Sequence, residues 1–334
     1  MKRHYHLYEK ICSFENLLLA ARRAQRGKKL KSSVSEFNLD FEKEIFALQA
    51  ELQSQTYRVG RYKQFHIYDP KKRLISALPY KERVVQHALC NVIEPIFDQA
   101  LIFDSYACRK GRGSHKAVER FTEFSRKNCY VLKCDVKSYF ASIDHETLYG
   151  MIKKKIKDLK TLWLIKQLID STVSPGIPIG NLSSQIFANL YLNELDHYLK
   201  ETVKCKYYIR YMDDLIFFSN DKCKLRGIKE TIKNRLKELM LELHANKCQI
   251  YQSCRGVSFL GYKIYPSHRL VIKQNVKRLR HRMKKYFKLL SRKLITRQKI
   301  ASSIQSWLGY AIHADSFHLK RRILSEYNLG GISP

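Results

Sequence analysis

The chain has 334 residues, enough for one large domain or two modest ones. Hydrophobic residues make up 45%, which excludes wholesale disorder. Lys and Arg number 63 against 30 Asp and Glu, a formal charge of +33 that self-repels unless a polyanion neutralises it. Nucleic acid is the first candidate partner.

The N-terminus, MKRHYHLYEK, is charged and lacks an apolar signal core, and residues 1–30 read as a helical extension. No apolar run approaches the ~20 residues that span a bilayer, so a soluble cytoplasmic protein with no membrane partner is expected. The nine cysteines (12, 90, 108, 129, 134, 205, 223, 248 and 254) are scattered without CxxC spacing. That pattern predicts buried, reduced thiols rather than a zinc site or a disulfide framework. Residues 21–33, ARRAQRGKKLKSS, form a basic loop, either a solvated surface or a nucleic-acid contact.

From 81 to 97, Val84, Val85, Ala88, Leu89, Val92, Ile93 and Phe97 recur at helical spacing. Pro95 predicts an end near Glu94, because proline disfavours helical geometry in the residue before it. YVLKCDV (130–136) alternates as a strand, with Leu132, Cys134 and Val136 facing one way and Val131, Lys133 and Asp135 the other. Such a strand lies either at a surface or at a site. YYIRYMDDLIFF (207–218) is two apolar β-prone runs around Met212-Asp213-Asp214, a hairpin signature. A helix over 224–243 and a short strand pair around 248–265 follow.

From Lys263 to Pro334 there are 17 Lys and Arg against two acids, Asp315 and Glu326. Val276, Leu279, Met283, Phe287, Leu290 and Leu294 keep 3–4 spacing, as do Ile300, Ile304, Trp307, Leu308 and Ala311. Two or three amphipathic helices with basic outer faces fit, divided from the rest near Pro266-Ser267-His268. Their charge serves either a polyanion or plain solvation.

Asp135, Asp213 and Asp214 are the candidate chemistry. Consecutive strand residues point to opposite faces, so the two adjacent acids converge only if the turn twists between them. Packed carboxylates repel unless a divalent cation sits among them. Two Mg²⁺ ions about 4 Å apart would satisfy them and serve in-line phosphoryl transfer. By itself the Asp213-Asp214 pair reads first as an ordinary polar hairpin turn, with Asp135 a strand-end acid, since Asp is a favoured turn residue.

The neighbouring residues tip that balance. YMDD (211–214) resembles the catalytic hairpin of reverse transcriptases, and KCDVKSYFASID (133–144) resembles the motif bearing their other metal-binding aspartate. KKRLISALPYKERVVQHAL (71–89) and YACRKGRGSHKAV (106–118) are similar to the two fingers motifs, and FLGY (259–262) to the primer-grip hairpin. The resemblance spans roughly residues 30 to 265. GIPIGNLSSQIFANLYL (176–192) departs from the commoner Gln-Gly and Ser-Pro pattern, with Ile179-Gly180 and Ser184-Gln185 instead. That variant, with SWLGYAIHAD (306–315), resembles the reverse transcriptases of diversity-generating retroelements.

The resemblance implies an α+β fold: a right-hand polymerase with fingers and palm (an antiparallel catalytic sheet) over 31–265 and a basic α-helical thumb over 266–334. It implies an RNA-directed DNA polymerase making cDNA with errors opposite template adenine. Asp135, Asp213 and Asp214, with the Val136 carbonyl, would hold two Mg²⁺. Lys71 and Arg73 would hold the triphosphate of a dNTP, with Ile179, Gly180 and Gln185 beside it. Phe140, or Tyr139 sharing the position, would be a steric gate against the ribose 2′-hydroxyl. Lys247 would protonate the departing pyrophosphate, and Phe259, Leu260, Gly261 and Tyr262 would form the primer grip. Gly111 and Gly113 would either let backbone amides approach nucleic acid or simply turn the chain.

The implied partners are the template-primer, a structured template-repeat RNA and a small, helical, oligomeric and itself basic accessory protein. Retron-like or group II intron-like reverse transcriptases are the alternatives within the class, and a non-catalytic RNA-binding scaffold is the one outside it. Ile179 has its own physical content. Glutamine there could hydrogen-bond the incoming nucleotide or the nascent pair, whereas isoleucine can only pack. One such contact in a desolvated site is worth ~1–3 kcal/mol, or about ten- to a hundred-fold in selectivity. The bland reading of Ile179 is a plain core residue.

Overall fold

The computed structural model describes residues 2–68 and 72–327. Its strands are β1 (Lys63–Ile67), β2 (Arg73–Ala77), β3 (Tyr130–Asp135), β4 (Tyr208–Tyr211), β5 (Asp214–Ser219), β6 (Gln249–Gln252), β7 (Val257–Phe259), β8 (Tyr262–Ile264) and β9 (Arg269–Val271). They form three antiparallel sheets: β1-β2, β4-β5-β3-β6 and β7-β8-β9.

The central four-stranded sheet is covered on both faces, as the alternation in β3 requires. Leu132, Cys134 and Val136 join Tyr208, Leu215 and Phe217 in a core under the helices Tyr80–Asp98, Leu182–Tyr191 and Lys222–Glu238. Leu17, Ala20 and Ala21 of the N-terminal helix Phe14–Ala24 are buried in that same core. Val131 faces the other way, with Ile209, Ile216 and Phe218, against the helix Ser114–Lys127 and the β7-β8 hairpin. Phe121 of that helix stacks on Phe259, with ring centroids 5.1 Å apart.

β7 and β8 are joined by Leu260-Gly261, with φ of 45° and 90°, the two positive values a tight hairpin turn demands. The Gly261 carbonyl accepts from Ile272 N at 3.1 Å, and a Cβ on Gly261 would collide with the Tyr310 hydroxyl. Tyr310 also stacks on Tyr262 and accepts from Asn275 Nδ2 at 2.9 Å. It thereby joins the hairpin to a third core, made by the helices Lys273–Ser291, Arg297–Ala311 and Phe317–Glu326. β9 lies beyond residue 266 and pairs with β8, so the sheet runs across that point.

Several expectations need correction. The helix Tyr80–Asp98 continues through Pro95, because proline near the end costs only one backbone bond and Phe97 is buried beyond it. The helix expected over 224–243 stops at Glu238. There Met240 takes a left-handed φ of 55°, and Leu241 N bonds back to Leu236 O at 2.8 Å. β6 does not pair with β7 but adds to β3. The basic loop is shorter than expected, since Phe14–Ala24 and Ser32–Leu39 take up its ends. All nine cysteines are free, but Cys108, Cys129, Cys223 and Cys254 are exposed at loops and element ends.

Candidate active site

β4 and β5 are connected by the two residues Met212-Asp213, closed by the pair Tyr211 and Asp214. Met212 sits at φ 56°, in the left-handed region that a residue with a Cβ avoids. This is the twist that lets adjacent aspartates act together. Asp135 ends β3 directly opposite Asp214, which starts β5, and Val136 N donates to the Asp213 carbonyl at 3.2 Å. The three acids therefore lie together at one end of the central sheet, near enough for the Asp135 and Asp214 charges to act on Asp213. Val136 itself is buried, with its amide committed to the turn.

Each strand acid has a cation. Lys247 Nζ lies 2.7 Å from Asp135 Oδ2, and Lys133 Nζ lies 3.7 Å from Asp214 Oδ1. Burial pushes the Asp214 carboxyl up, opposed by Lys133. Asp213 is pushed up to about 6, first by burial and then by the neighbouring Asp214 and Asp135 charges, with Arg73 pulling weakly the other way. The site thus holds more negative charge than its own lysines neutralise.

Hard carboxylate oxygens at this density suit Mg²⁺, which draws the rest of its shell from water and substrate phosphates. Among the described residues no three His, Cys, Asp or Glu side chains close on one point as a ready-made cage.

The raised carboxyl has a measurable consequence. The folded state holds the Asp213 proton more tightly than the unfolded chain does. Its contribution to stability is therefore present below about pH 4 and lost as pH rises through about 6. In metal-free buffer, Asp213→Asn should raise stability at pH 7.5 by up to about 3 kcal/mol and leave it nearly unchanged at pH 4. Thermal melts at the two pH values check this. An equal effect at both would refute the electrostatic cause.

The remaining expected residues fall in three groups. The first lies around β2 and the loop 176–181. Arg73 is exposed at the start of β2, and Lys71 lies outside the described residues. The Ile179 carbonyl accepts from Ser76 N at 3.0 Å, and a Cβ on Gly180, at φ 125°, would come within 3.0 Å of the Ser76 carbonyl. Loop and strand therefore dock backbone to backbone. Ile179 is half-buried and outside the core, and Gln185 is half-buried on the next helix.

The second group follows β3. Ile177 N donates to the Phe140 carbonyl at 2.8 Å, which draws the half-buried Phe140 towards the same loop. Tyr139 cannot share its position, a correction to the sequence reading: it is 2% exposed and its hydroxyl donates to the Ala188 carbonyl.

The third group is the β7-β8 hairpin. Phe259 and Tyr262 are buried, so only Leu260 and Gly261 are partly presented at its tip. Sequence reasoning missed Lys133 as a partner of Asp214, and it missed Arg210. An arginine inside the apolar run of β4 was the available signal.

Comparison with known proteins agrees with this geometry. A family model described as "Reverse transcriptase (RNA-dependent DNA polymerase)" matches residues 67–264. Protein YkfC of Escherichia coli (strain K12) is 25% identical over 250 residues, covering 59% of this chain and 65% of its own length. The group II intron-encoded protein LtrA of Lactococcus lactis subsp. cremoris is 30% identical over 139 residues, 39% of this chain and 23% of LtrA. The Retron Ec73 reverse transcriptase of Escherichia coli is 27% identical over 208 residues, 57% and 63% of the two chains. The chain thus spans less than two thirds of the length of these curated relatives. Among solved structures, apo telomerase from Candida tropicalis superposes with a TM-score of 0.51 at 14% identity, covering 63% of this chain and 48% of that one. That likeness is one of fold.

Proposed function

The chain belongs to the reverse transcriptase (RNA-dependent DNA polymerase) family, and from that premise we propose that it copies RNA into DNA by two-metal phosphoryl transfer. The observation that carries the proposal is the convergence of Asp135, Asp213 and Asp214, with Asp213 pushed up to about 6. Residues 31–265 would be fingers and palm, and the basic helices of 266–334 the thumb.

Bound at the three aspartates and the Val136 carbonyl, a pair of Mg²⁺ ions would make the primer 3′-hydroxyl more acidic and offset charge on the leaving pyrophosphate. Arg73, with Lys71, would hold the dNTP triphosphate at the β2 edge. Phe140 would exclude a 2′-hydroxyl, and the hairpin tip at Leu260-Gly261 would touch the primer backbone. Lys247, with Nζ 2.7 Å from Asp135 Oδ2, would protonate the pyrophosphate. The basic helices would grip the template-primer through phosphates.

Within this class we favour a diversity-generating retroelement polymerase that makes error-prone cDNA from a structured template-repeat RNA in the cytoplasm. A small basic accessory protein would be bridged to it by that RNA, since two cationic surfaces repel. The Ile179-Gly180 and Ser184-Gln185 variant supports this, as does the half-buried Ile179 beside β2. Among the described residues no helix is long and apolar enough to cross a membrane. A retron-like or group II intron-like role is the second reading, favoured by the curated relatives.

The test is primer extension on a mixed-sequence RNA template with Mg²⁺ and four dNTPs, with errors scored by template base. Errors concentrated opposite adenine support the retroelement reading, and Ile179→Gln should then lower them about ten-fold. Faithful cDNA selects the second reading. No cDNA, even with cognate RNA and accessory protein, selects a non-catalytic scaffold.

A further inference from the structure

β4 holds the largest fully buried side chain among the described residues, and it is charged. Arg210 and Asp196 are both 0% exposed, with Nε 2.6 Å from Oδ2. The other Asp196 oxygen accepts from the Tyr208 hydroxyl at 2.6 Å. Arg210 Nη1 donates to Asn189 Oδ1 at 3.0 Å and to the Met212 carbonyl at 3.3 Å. Nη2 donates to the Asn189 carbonyl at 3.0 Å.

Stability does not account for such a pair. Well-packed apolar residues in place of a buried ion pair are often neutral or stabilising. What a guanidinium does, and an apolar side chain cannot, is grip two backbone carbonyls in a fixed fork. Those carbonyls belong to places that matter. Met212 is the left-handed residue just before Asp213. Asn189 lies one helical turn beyond Gln185 on Leu182–Tyr191, and its own Nδ2 anchors the Ala107 carbonyl at 2.8 Å.

We propose that Arg210, held by Asp196, is a positioning residue. It ties the Met212-Asp213 turn to the helix carrying Gln185, so that the Asp213 carboxylate is placed against Asp135 and Asp214 before substrate arrives. The proposal rests on the polymerase reading above. Its physical content is pre-organisation: misplacing a reacting group by about 1 Å can cost on the order of a hundred-fold in rate.

The experiment compares wild type, Asp213→Ala and the triple variant Arg210→Met/Asp196→Leu/Tyr208→Phe, which removes the network without stranding a charge or the tyrosine hydroxyl. Mn²⁺ binding is read from the paramagnetic resonance of the free ion, and primer extension gives kcat and the dNTP KM. The triple variant should melt close to wild type yet bind Mn²⁺ about ten-fold more weakly. Its kcat should fall about a hundred-fold with KM changed less than about two-fold.

A folded triple variant with wild-type Mn²⁺ affinity and kcat would overturn the proposal, leaving the pair a packing feature. Should the triple variant not fold, Arg210→Lys serves instead. It keeps the charge opposite Asp196 but cannot span both carbonyls, so the same losses are expected and wild-type behaviour overturns the idea equally. A wild type that binds no more Mn²⁺ than Asp213→Ala and extends no primer would sink the polymerase reading, and the positioning role with it. A competent wild type matched by the triple variant, or by Arg210→Lys, while Asp213→Ala is inactive sinks the positioning role alone.

Discussion

Asp213→Ala should abolish Mg²⁺-dependent nucleotide incorporation on an RNA template, lowering kcat by about a thousand-fold or more, which corresponds to about 4 kcal/mol of transition-state stabilisation. The loss should be chemical rather than structural. Asp213 sits on a two-residue turn held by Val136 N and by Arg210, neither of which uses its carboxylate. Removing a buried acid with two like-charged neighbours relieves repulsion, so the variant should melt no lower than wild type at neutral pH. Steady-state extension with a melt on the same preparation checks both halves. An active Asp213→Ala would remove the basis of the polymerase proposal, and an unfolded one would show the turn to depend on the carboxylate.

Binding of the template-primer should be equally sensitive to salt. The stretch from Lys263 to Pro334 carries 17 basic residues and two acids, and Lys277, Lys284 and Lys288 are exposed along Lys273–Ser291. A protein making six to ten phosphate contacts loses about 10³- to 10⁵-fold in affinity between 50 and 200 mM salt. Fluorescence anisotropy over that range should therefore show a loss of at least about 10³-fold. Replacing Lys277, Lys284 and Lys288 together by Ala should flatten the log–log slope by about three, to the same extent on every template sequence. A shallow slope would mean that the charge faces solvent alone.

The sequence carried some parts of this molecule openly and hid others for identifiable reasons. The alternation in β3 is legible because each face meets its own core, and the facing pair Asp135 and Asp214 follows once β3 and β5 are neighbours. Met240 hides a helix end, because it takes a positive φ without the glycine that normally announces one. The partner of β6 was not legible, since pairing with β3 joins residues more than a hundred positions apart and no local pattern encodes it. Lys247 was assigned from resemblance, but its contact with Asp135 depends on the turn Ala245–Lys247 that follows the helix end at Glu238. Tyr139 and Phe140 are neighbours of similar chemistry. Only the Ala188 carbonyl, far along the chain, tells the buried ring from the half-buried one.

The close approach of Gly261 to Tyr310 constrains ancestry as well as structure. Any side chain at 261 collides with the phenol of 310, which is itself wedged between Tyr262 and Asn275. A lineage can enlarge residue 261 only after residue 310 has shrunk, and a shrunken 310 leaves a gap beneath 262 until something larger returns. Across descendants of this chain the two positions should therefore drift as a pair, and a homologue with a bulky residue at 261 should lack the tyrosine at 310.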